Sequence, residues 1–372
     1  MTVTSTSPSP SLQENMIAIL RGRPGFVPSL VRLLLTPLAT LYSAGLWVFL
    51  LPYALGIRHK TRLTCPVISI GNLTTGGTGK TPTTAALCRM LTDRGMKAVI
   101  LSRGYGGANE HGCAIASDGH RVRMTAQMAG DEACMLAHML PSTPVLVGKD
   151  RRQTGARAEA EFRPDVIVMD DGMQFWQLHR NVEIVLLDAI EPFDNGYTLP
   201  RGLLREPASH LRRASVILIT RSHVADRKIL DETMAKIRKL APGKAVFTAD
   251  LIAHALRQVE PPQLLDIHSL RGRRIVCLSA IGNPASFESM LGDLGAIVCD
   301  SLRLPDHSRP SSQELDALFH RAAEVNASAM VTTEKDAIKL DGATHALPII
   351  VLQVTMHIDS AEKFISSVVE AL

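Results

Sequence analysis

Short runs of apolar, mostly β-branched residues alternate with helical stretches along most of the chain. Six such runs lie before residue 220, at 67–70, 98–101, 145–147, 166–169, 184–187 and 216–219. Four more follow at 275–278, 296–298, 329–331 and 349–352, and helices are predicted at 286–294, 312–323 and 361–369. Near-continuous apolar strands separated by helices are typical of a parallel sheet covered on both faces. The pattern therefore predicts an α/β fold, a parallel sheet flanked by helices with a second, smaller α/β lobe.

A different apolar pattern lies near the amino terminus. No charged residue occurs from Leu33 to Ile57, which is long enough to cross a bilayer. Pro37 and Pro52 bracket the core of this segment, and positive charges flank it on both sides, so its orientation stays open. A buried core helix is the alternative. We favour a membrane-associated helix that either spans the bilayer or lies in its interface.

The first predicted strand runs into a glycine-rich loop, GNLTTGGTGKT, which precedes a helix. Glycines allow backbone N–H groups to converge on phosphate oxygens, Lys80 supplies a cation, and Thr81 offers a hydroxyl to Mg²⁺. The candidate nucleotide-binding residues are Thr74, Thr75, Gly76, Gly77, Thr78, Gly79, Lys80 and Thr81. Thr74 departs from the general P-loop pattern, which has glycine six residues before the lysine, and a turn without a ligand is the alternative. The loop predicts a bound nucleotide phosphate with Mg²⁺.

Acidic residues follow another apolar strand, in PDVIVMDDGMQ. At the end of a strand both Asp170 and Asp171 can turn toward one Mg²⁺, which prefers oxygen ligands. Asp188, at the end of IVLLDA, is a weaker candidate for the same role. An acidic turn without a ligand remains the alternative.

A phosphoryl acceptor with a hydroxyl group needs a base nearby, because the hydroxyl loses its proton during transfer. Candidates are Asp131 and Glu132 in MAGDEACML, and Asp306 with His307 in RLPDHSRP. Each also has an ordinary structural interpretation, since an Asp at a helix start is usually a cap. The loop SRGYGG, which follows the second strand, is equally well explained as a simple turn.

Composition narrows the function classes. The net charge of +4 over 372 residues gives no electrostatic case for a nucleic-acid partner. The six cysteines lie far apart, without CxxC or Cys/His spacing, so neither a zinc site nor a disulfide framework is indicated. A reducing cytosol fits this usage best.

Eight motifs occur together in an order that resembles the tetraacyldisaccharide 4′-kinase family of the lipid A pathway. They are GNLTTGGTGKTP, LSRGYGG, GDEA, DDGMQ, LPRGLLREP, IGNP, PDH and TTEKDAIKL, from about Leu33 to Leu340. The resemblance implies phosphorylation, by MgATP, of the 4′-hydroxyl of a lipid A disaccharide precursor at the cytoplasmic face of the bacterial inner membrane. It implies membrane lipid as a further partner and no protein partner.

The resemblance also implies roles for single residues. Lys80 and Thr81 would bind ATP and Mg²⁺, Asp131 would act as the base, and His307 would pair with it. Asp170 and Asp171 would organise Mg²⁺ and the phosphates, and Glu206 of the REP motif would sit in the same site. This chain has Phe175 where the family usually has histidine, and that position receives no role. Arg201 and Arg205 are candidate sugar contacts from charge alone.

Pattern and resemblance together divide the chain into five predicted segments. They are a disordered or variable N-terminus (1–27), the membrane-associated helix (28–60), a P-loop kinase domain (61–246), a linker (247–266) and a second α/β domain (267–372). If Asp131 and His307 lie on different lobes, closure would assemble the reaction centre and suppress hydrolysis without lipid. Two alternatives remain: a membrane-associated P-loop switch or partitioning ATPase, disfavoured by Thr75 in place of its signature lysine, and a nucleotide-binding scaffold without turnover.

Overall fold

The structure, a computed structural model, describes residues 12–340 and 347–372. The strands are β1 (Val67–Asn72), β2 (Ala98–Ser102), β3 (Ala114–Asp118), β4 (Pro144–Val147), β5 (Val166–Met169), β6 (Val182–Asp188), β7 (Val216–Thr220), β8 (Ala245–Gln258), β9 (Gln263–Leu265), β10 (Arg274–Ser279), β11 (Ile297–Arg303), β12 (Ala329–Thr333) and β13 (Ile349–Ile358). The helices are α1 (Leu12–Leu20), α2 (Phe26–Ala54), α3 (Lys80–Asp93), α4 (Ala126–Ala129), α5 (Asp131–Met139), α6 (Arg151–Phe162), α7 (Arg227–Leu240), α8 (Pro284–Asp293), α9 (Ser312–Glu324), α10 (Glu334–Ala337) and α11 (Ala361–Glu370).

All of these strands join one sheet, in which two blocks of parallel strands meet at an antiparallel pair. The order is β11-β10-β12-β13-β8-β7-β6-β1-β5-β2-β4-β3, with β9 paired to β8. The junction is the pair β13 and β8, whose register extends from Ile350 opposite Gln258 to Ile358 opposite Ala249. The predicted α/β fold, with a helix-flanked parallel sheet and a smaller second set of strands, is confirmed.

Three strands were not predicted from the apolar pattern. β3 runs antiparallel to β4 at one edge of the sheet, and β9 is a short partner of β8. The segment predicted as a linker, 247–266, instead contains most of β8 and all of β9. Because most β8 side chains are only half-buried, the strand lacks the continuous apolar run that marked the others. The division of the chain into two domains stays a prediction.

Buried apolar side chains cover both faces of the larger block. Ile68 belongs to a core with Leu87 of α3 and Leu136 of α5. The neighbouring residue Val67 points to the opposite face and packs in a core with Ala158 of α6. This alternation is the two-residue period of a strand buried on both sides. The polar ends of the strands are thereby left at the carboxyl edge of the sheet, where ligands bind in such folds.

The amino-terminal region is more ordered than the sequence suggested. Within the segment predicted as disordered or variable (1–27), residues 12–20 form the helix α1, while residues 1–11 lie outside the described chain. α2 starts at Phe26 and runs through Pro37 and Pro52 as a single helix. It is the one helix, among the described residues, long and apolar enough to cross a membrane.

One side of α2 contacts the segment between β6 and β7. Ala39 is buried, and its carbonyl accepts a hydrogen bond from the hydroxyl of Thr198 at 3.2 Å. The Tyr42 hydroxyl donates to the carbonyl of Arg205 at 2.9 Å. Most of the remaining surface of α2 is exposed, including large side chains such as Leu33 and Trp47. The helix therefore exposes apolar surface on one side and contacts the segment between β6 and β7 on the other.

Candidate active site

The glycine-rich loop lies between β1 and α3, as predicted. Gly79 takes a left-handed conformation (φ +83°) immediately before α3 begins at Lys80. The Lys80 ammonium lies 3.2 Å from Asn72 Oδ1 and 3.9 Å from Asp171 Oδ1. Among the residues described, Thr78 Oγ1 and Asn72 Nδ2 are buried without a hydrogen-bond partner. Buried polar groups normally have partners, so these two atoms fit a site that receives a polar ligand.

The first two residues of the predicted nucleotide set are anchored to another loop. Thr74 forms a bridge with Leu204, and the Thr75 N–H donates to the carbonyl of Leu203 at 2.7 Å. Thr75 therefore has no backbone N–H left for a phosphate oxygen, which corrects its predicted role. The departure of this loop from the general P-loop pattern coincides with its attachment to the LLREP segment.

Asp170 lies under the start of α3. Its carboxylate accepts hydrogen bonds from Thr84 Oγ1 at 2.8 Å and from Thr81 Oγ1 at 3.4 Å. Burial raises the pKa of Asp170 well above its usual range, and the charge of Glu132 adds to the rise. A nearby cation would favour the ionised form. One carboxylate with a threonine hydroxyl is the protein's share of a P-loop Mg²⁺ site, so the residues present fit that metal.

Asp171 has the opposite electrostatic setting. Arg205 donates to both of its oxygens, at 3.1 and 2.9 Å, and also to Asn72 Oδ1. Burial opposes ionisation, but the charges of Lys80 and Arg205 outweigh it and hold the pKa of Asp171 below its usual range. Arg205 thus contacts Asp171, whereas its charge alone had suggested a sugar contact.

Glu206 does not join the other predicted metal ligands. Its carboxylate is buried and accepts hydrogen bonds from Trp176 Nε1 at 3.2 Å and from Arg213 Nη1 at 2.6 Å, and it contacts His210 Nδ1 at 2.6 Å. Both oxygens are therefore already bound within a separate cluster. We accordingly remove Glu206 from the metal site.

The weaker alternative, Asp188, is likewise occupied elsewhere. One of its oxygens pairs with Arg221 at 2.7 Å, and the other accepts the N–H of Ile190 at 2.9 Å. Within residues 12–340 and 347–372, no group of three or more His, Cys, Asp or Glu side chains could hold a metal ion. A metal at this site would need oxygens from a bound phosphate, as in P-loop enzymes.

The predicted acid–base pair is brought together from distant parts of the chain. Asp131 is the first residue of α5, and its Oδ2 lies 3.5 Å from His307 Nδ1. His307 has a left-handed conformation (φ +65°), and Lys335 contacts its ring and pairs with the preceding Asp306 at 2.7 Å. The pair therefore joins the edge of the larger parallel block to the loop after β11.

This loop also adjoins the phosphate loop, through Gly282 of the IGNP motif. A methyl group placed on Gly282 would lie 3.7 Å from Asp306 Oδ2 and 3.9 Å from the backbone nitrogen of Gly77. The pair Asp131–His307 and the glycine-rich loop therefore line the same region of the protein.

Lys339 completes this arrangement and was missed by sequence reasoning. Its side chain is fully buried, and its ammonium lies 3.2 Å from Asp131 Oδ2, from Asp336 Oδ1 and from the carbonyl of Ser308. Burial alone would raise the pKa of Asp131, but the hydrogen bond from His307 and the charge of Lys339 lower it overall. The only signal was the second lysine of TTEKDAIKL, and nothing in that motif indicated a contact with Asp131.

A model of the tetraacyldisaccharide-1-P 4′-kinase family matches residues 31–372. The chain belongs to this family. The tetraacyldisaccharide 4′-kinase of Syntrophus aciditrophicus is 37% identical over 321 residues, which are 84% of this chain and 86% of that protein. The enzyme of the same name from Desulfatibacillum aliphaticivorans is 31% identical over 363 residues, covering 95% and 96%. A crystal structure of LpxK from Aquifex aeolicus, in complex with ATP, superposes with a TM-score of 0.72 at 28% identity, covering 92% of this chain and 99% of that chain.

One position distinguishes this chain from the usual motif of the 4′-kinase family. Phe175 follows the DDGMQ sequence, and the guanidinium of Arg151 lies 5.7 Å from the centre of its ring. Phe175 also packs against the core between the sheet and α6. In this family member the position is therefore part of a packing contact.

The loop SRGYGG has a positioning role in this 4′-kinase family member that goes beyond turning the chain. A methyl group on Gly107 would lie 2.4 Å from the backbone nitrogen of Gly130, and one on Gly104 would lie 2.9 Å from the carbonyl of Ala129. The two backbones therefore pack directly on each other. This contact fixes the residue immediately before Asp131.

We expect Gly130→Ala to lower kcat by about 10²-fold, because a displacement of about 1 Å at a reacting group has an effect of this size. Gly130 has φ +84°, and a methyl group there would lie 2.7 Å from the carbonyl of Tyr105. Gly106→Ala is the matched control, since Gly106 also has a positive φ (+72°) but open space around it. Steady-state kinetics should show the loss for Gly130→Ala only; equal losses in the two variants would mean that backbone strain, not the position of Asp131, is responsible.

Proposed function

We propose that this chain is an ATP-dependent kinase that phosphorylates the 4′-hydroxyl of a tetraacyldisaccharide 1-phosphate, a precursor of lipid A. The observation that carries the proposal is the pair Asp131–His307, 3.5 Å apart, beside a phosphate-binding loop. A carboxylate next to a histidine can accept the proton of a sugar hydroxyl, a chemistry that a nucleotide-binding scaffold does not need. Membership of the 4′-kinase family and the names of its relatives support the same substrate.

Asp131 is the proposed base. Its lowered pKa keeps the carboxylate ionised at neutral pH, as a proton acceptor must be. His307 shares or relays the proton, and its orientation is set by Lys335 and by the PDH loop. Asp131 would take the proton from the 4′-hydroxyl as that oxygen attacks the γ-phosphorus of ATP and the bond to the β-phosphate oxygen breaks.

The nucleotide would be held by the loop from Gly76 to Thr81. Lys80 would neutralise charge on the transferring phosphoryl group, while Asn72 and Asp171 hold its ammonium in place. Thr81 and Asp170 would hold Mg²⁺, which when bound neutralises phosphate charge; Asp171, predicted as a second ligand, instead has both oxygens bound by Arg205 and holds Lys80. Arg205 aligns Asp171 through a two-point contact.

The apolar helix α2 would place this site at the cytoplasmic surface of the inner membrane. Its exposed apolar side chains fit a lipid environment, and its buried edge contacts Thr198 and Arg205 of the active-site loop. A lipid substrate could thus keep its acyl chains in the membrane while its sugar enters the site. A switch ATPase is not favoured, since the chain belongs to the 4′-kinase family and has Thr75 where those proteins have lysine.

The direct test is incubation with ATP labelled on the γ-phosphate and the disaccharide lipid. We expect the label in the lipid fraction and little hydrolysis without lipid; Asp131 and His307 are already 3.5 Å apart, so closure would tighten this pair and the phosphate loop around the substrate rather than assemble the pair itself. A basal ATPase rate equal to the lipid-stimulated rate would exclude such closure. Label released only as inorganic phosphate would favour an ATPase.

In a profile of kcat against pH, the position of the acid limb should depend on Lys339. Since Asp131 must be ionised, its lowered pKa keeps the enzyme active below the pH at which an ordinary aspartate would become protonated. Lys339→Met removes a positive charge and should move the acid limb to higher pH, whereas Lys339→Arg should restore it. Removing one partner of a buried ion pair also destabilises a protein by about 3–5 kcal/mol. The pH profile, measured well below the melting temperature of each variant, separates the two effects; an unmoved acid limb in Lys339→Met would contradict the assignment.

A further inference from the structure

A cavity of about 480 Å³ lies beside the carboxyl end of α2, away from the residues assigned to catalysis. Its lining includes five basic residues and no carboxylate. The basic residues are Arg58, His59, Lys60, Arg62 and His179. In the parts of the chain that the structure describes, Arg58, Lys60 and Arg62 have no ion-pair partner, although many other arginines do. The cavity is therefore a concentration of uncompensated positive charge.

The backbone and two aromatic rings hold this cluster in place. Thr61 donates to the carbonyl of Gln177 and its own carbonyl accepts the N–H of His179, both at 2.8 Å, which joins the two segments that line the cavity. The Arg58 guanidinium lies 5.4 Å from the ring centre of Tyr53. The Lys60 ammonium lies 5.2 Å from the ring centre of Trp176. These contacts bring the cations together before any ligand arrives, which lowers the entropy cost of binding one.

Nearby charges confirm that the cluster lacks an anion. Burial lowers the pKa of Lys60, and the charges of Arg180 and Arg213 lower it further, with Glu183 opposing them. Burial also lowers the pKa of His179, with further contributions from Arg62, Lys60 and Arg180. Glu183 does not compensate for these charges, because it pairs with Arg180 and Arg213.

The position of the cavity indicates where an anion would come from. Leu55 and Ile57, at the end of α2, are 63% and 73% exposed. Ile57 directly precedes Arg58, so exposed apolar side chains and exposed cations lie close together in this segment. This arrangement is typical of a surface that inserts apolar groups into a membrane while cations meet the headgroups.

We propose that this basic cavity binds the phosphate group of an anionic lipid in the membrane that α2 contacts. Arginine, lysine and histidine side chains together provide the donors and charge that a phosphate needs. The phosphate could belong to an acidic phospholipid or to the disaccharide substrate itself, and the second source rests on the proposed function. A link to the reaction site exists: Arg180, the residue after His179, donates to the carbonyl of Gly172, the residue after Asp171.

The test compares two double variants of the full chain. Arg58→Gln with Arg62→Gln removes two charges from the cavity, and Arg227→Gln with Lys228→Gln removes two exposed charges from the start of α7. A third variant, Arg58→Lys with Arg62→Lys, keeps the charge. Cosedimentation with vesicles of phosphatidylcholine, with and without phosphatidylglycerol, measures binding to acidic phospholipid independently of catalysis. We expect the cavity variant to lose about fivefold in affinity for acidic vesicles per charge removed, the lysine variant to keep most of it, and the α7 variant to match the unmodified chain.

The second arm measures KM in neutral detergent micelles, for the disaccharide with its 1-phosphate and for the same disaccharide without it. A rise in KM of the cavity variant for the phosphorylated disaccharide only, with unchanged vesicle binding, identifies the substrate's phosphate as the ligand. Weaker vesicle binding with unchanged KM identifies an acidic phospholipid. The proposal is overturned if the cavity and α7 variants behave alike in both arms. Absence of phosphoryl transfer by the unmodified chain would contradict the proposed function, while the vesicle arm would still report on the cavity.

Discussion

Replacing Asp131 by asparagine should lower kcat by about 10²–10⁴-fold, the usual contribution of a general base, and leave the dissociation constant of ATP unchanged. Asparagine keeps the shape of the side chain but cannot accept the proton of the sugar hydroxyl. Among the described residues, the ion pairs of Asp131 are with His307 and Lys339 and not with the loop from Gly76 to Thr81, so nucleotide binding should be unaffected. Single-turnover phosphoryl transfer and equilibrium ATP binding, measured on one preparation, check both expectations.

Two controls sharpen this experiment. Asp118→Asn removes a half-buried carboxylate at the end of β3 that pairs with Arg123, and it should leave kcat unchanged. The double variant Asp131→Asn with His307→Ala should be little worse than Asp131→Asn alone, because residues that act as a unit show strongly non-additive effects. Activity close to that of the unmodified chain in Asp131→Asn would show that another group takes the proton.

Lys80→Ala should impair both ATP binding and phosphoryl transfer, with a fall in kcat of about 10²–10³-fold. The ammonium is held by Asn72 and Asp171 at the start of α3, where it would meet phosphate charge as that charge moves during transfer. Without Lys80, Arg205 is the one remaining ion-pair partner of Asp171 among the described residues. Part of the positive charge that compensates Asp171 is then lost.

The control for this variant is Lys363→Ala, which removes an exposed lysine from α11. ATP affinity and kcat should both fall in Lys80→Ala, and both should be unchanged in Lys363→Ala. A fall in kcat at unchanged ATP affinity would place Lys80 on the transferring group alone, and no change in either quantity would remove the glycine-rich loop from the proposed nucleotide site.

Strands were predicted correctly where both of their faces are buried, because such strands consist of a continuous run of apolar residues. β1, β5 and β7 are entirely buried and were predicted within two residues of their ends. β8 was not predicted, because a half-buried strand lacks such a run. The prolines that follow it are also typical of a linker. The order of strands was also beyond reach: the antiparallel contact of β8 with β13 depends on residues far apart in the chain.

The residues of the candidate site also differ in whether the sequence alone could predict their roles. Residues within one loop, such as Lys80 and Thr81, carry local signals of their chemistry, and the pairing of Asp131 with His307 followed from a family resemblance. Lys339 and Arg205 carry no local signal, since their roles depend on contacts with Asp131 and Asp171 made only in the folded protein. Glu206 shows the converse, because its motif suggested the metal site while its carboxylate is bound by Trp176 and Arg213.

The central claim concerns where the phosphoryl group goes, so the most direct measurement is the position of the label on the product. The full chain, in mixed micelles, is incubated with the disaccharide lipid and ATP labelled on the γ-phosphate, and the lipid product is analysed by phosphorus NMR and mass spectrometry, with Asp131→Asn in parallel. The proposed function predicts one new phosphate monoester, on the 4′-oxygen, made by the unmodified chain and nearly absent with Asp131→Asn. Label found only in inorganic phosphate, or on the lipid in equal amounts with both proteins, would contradict it.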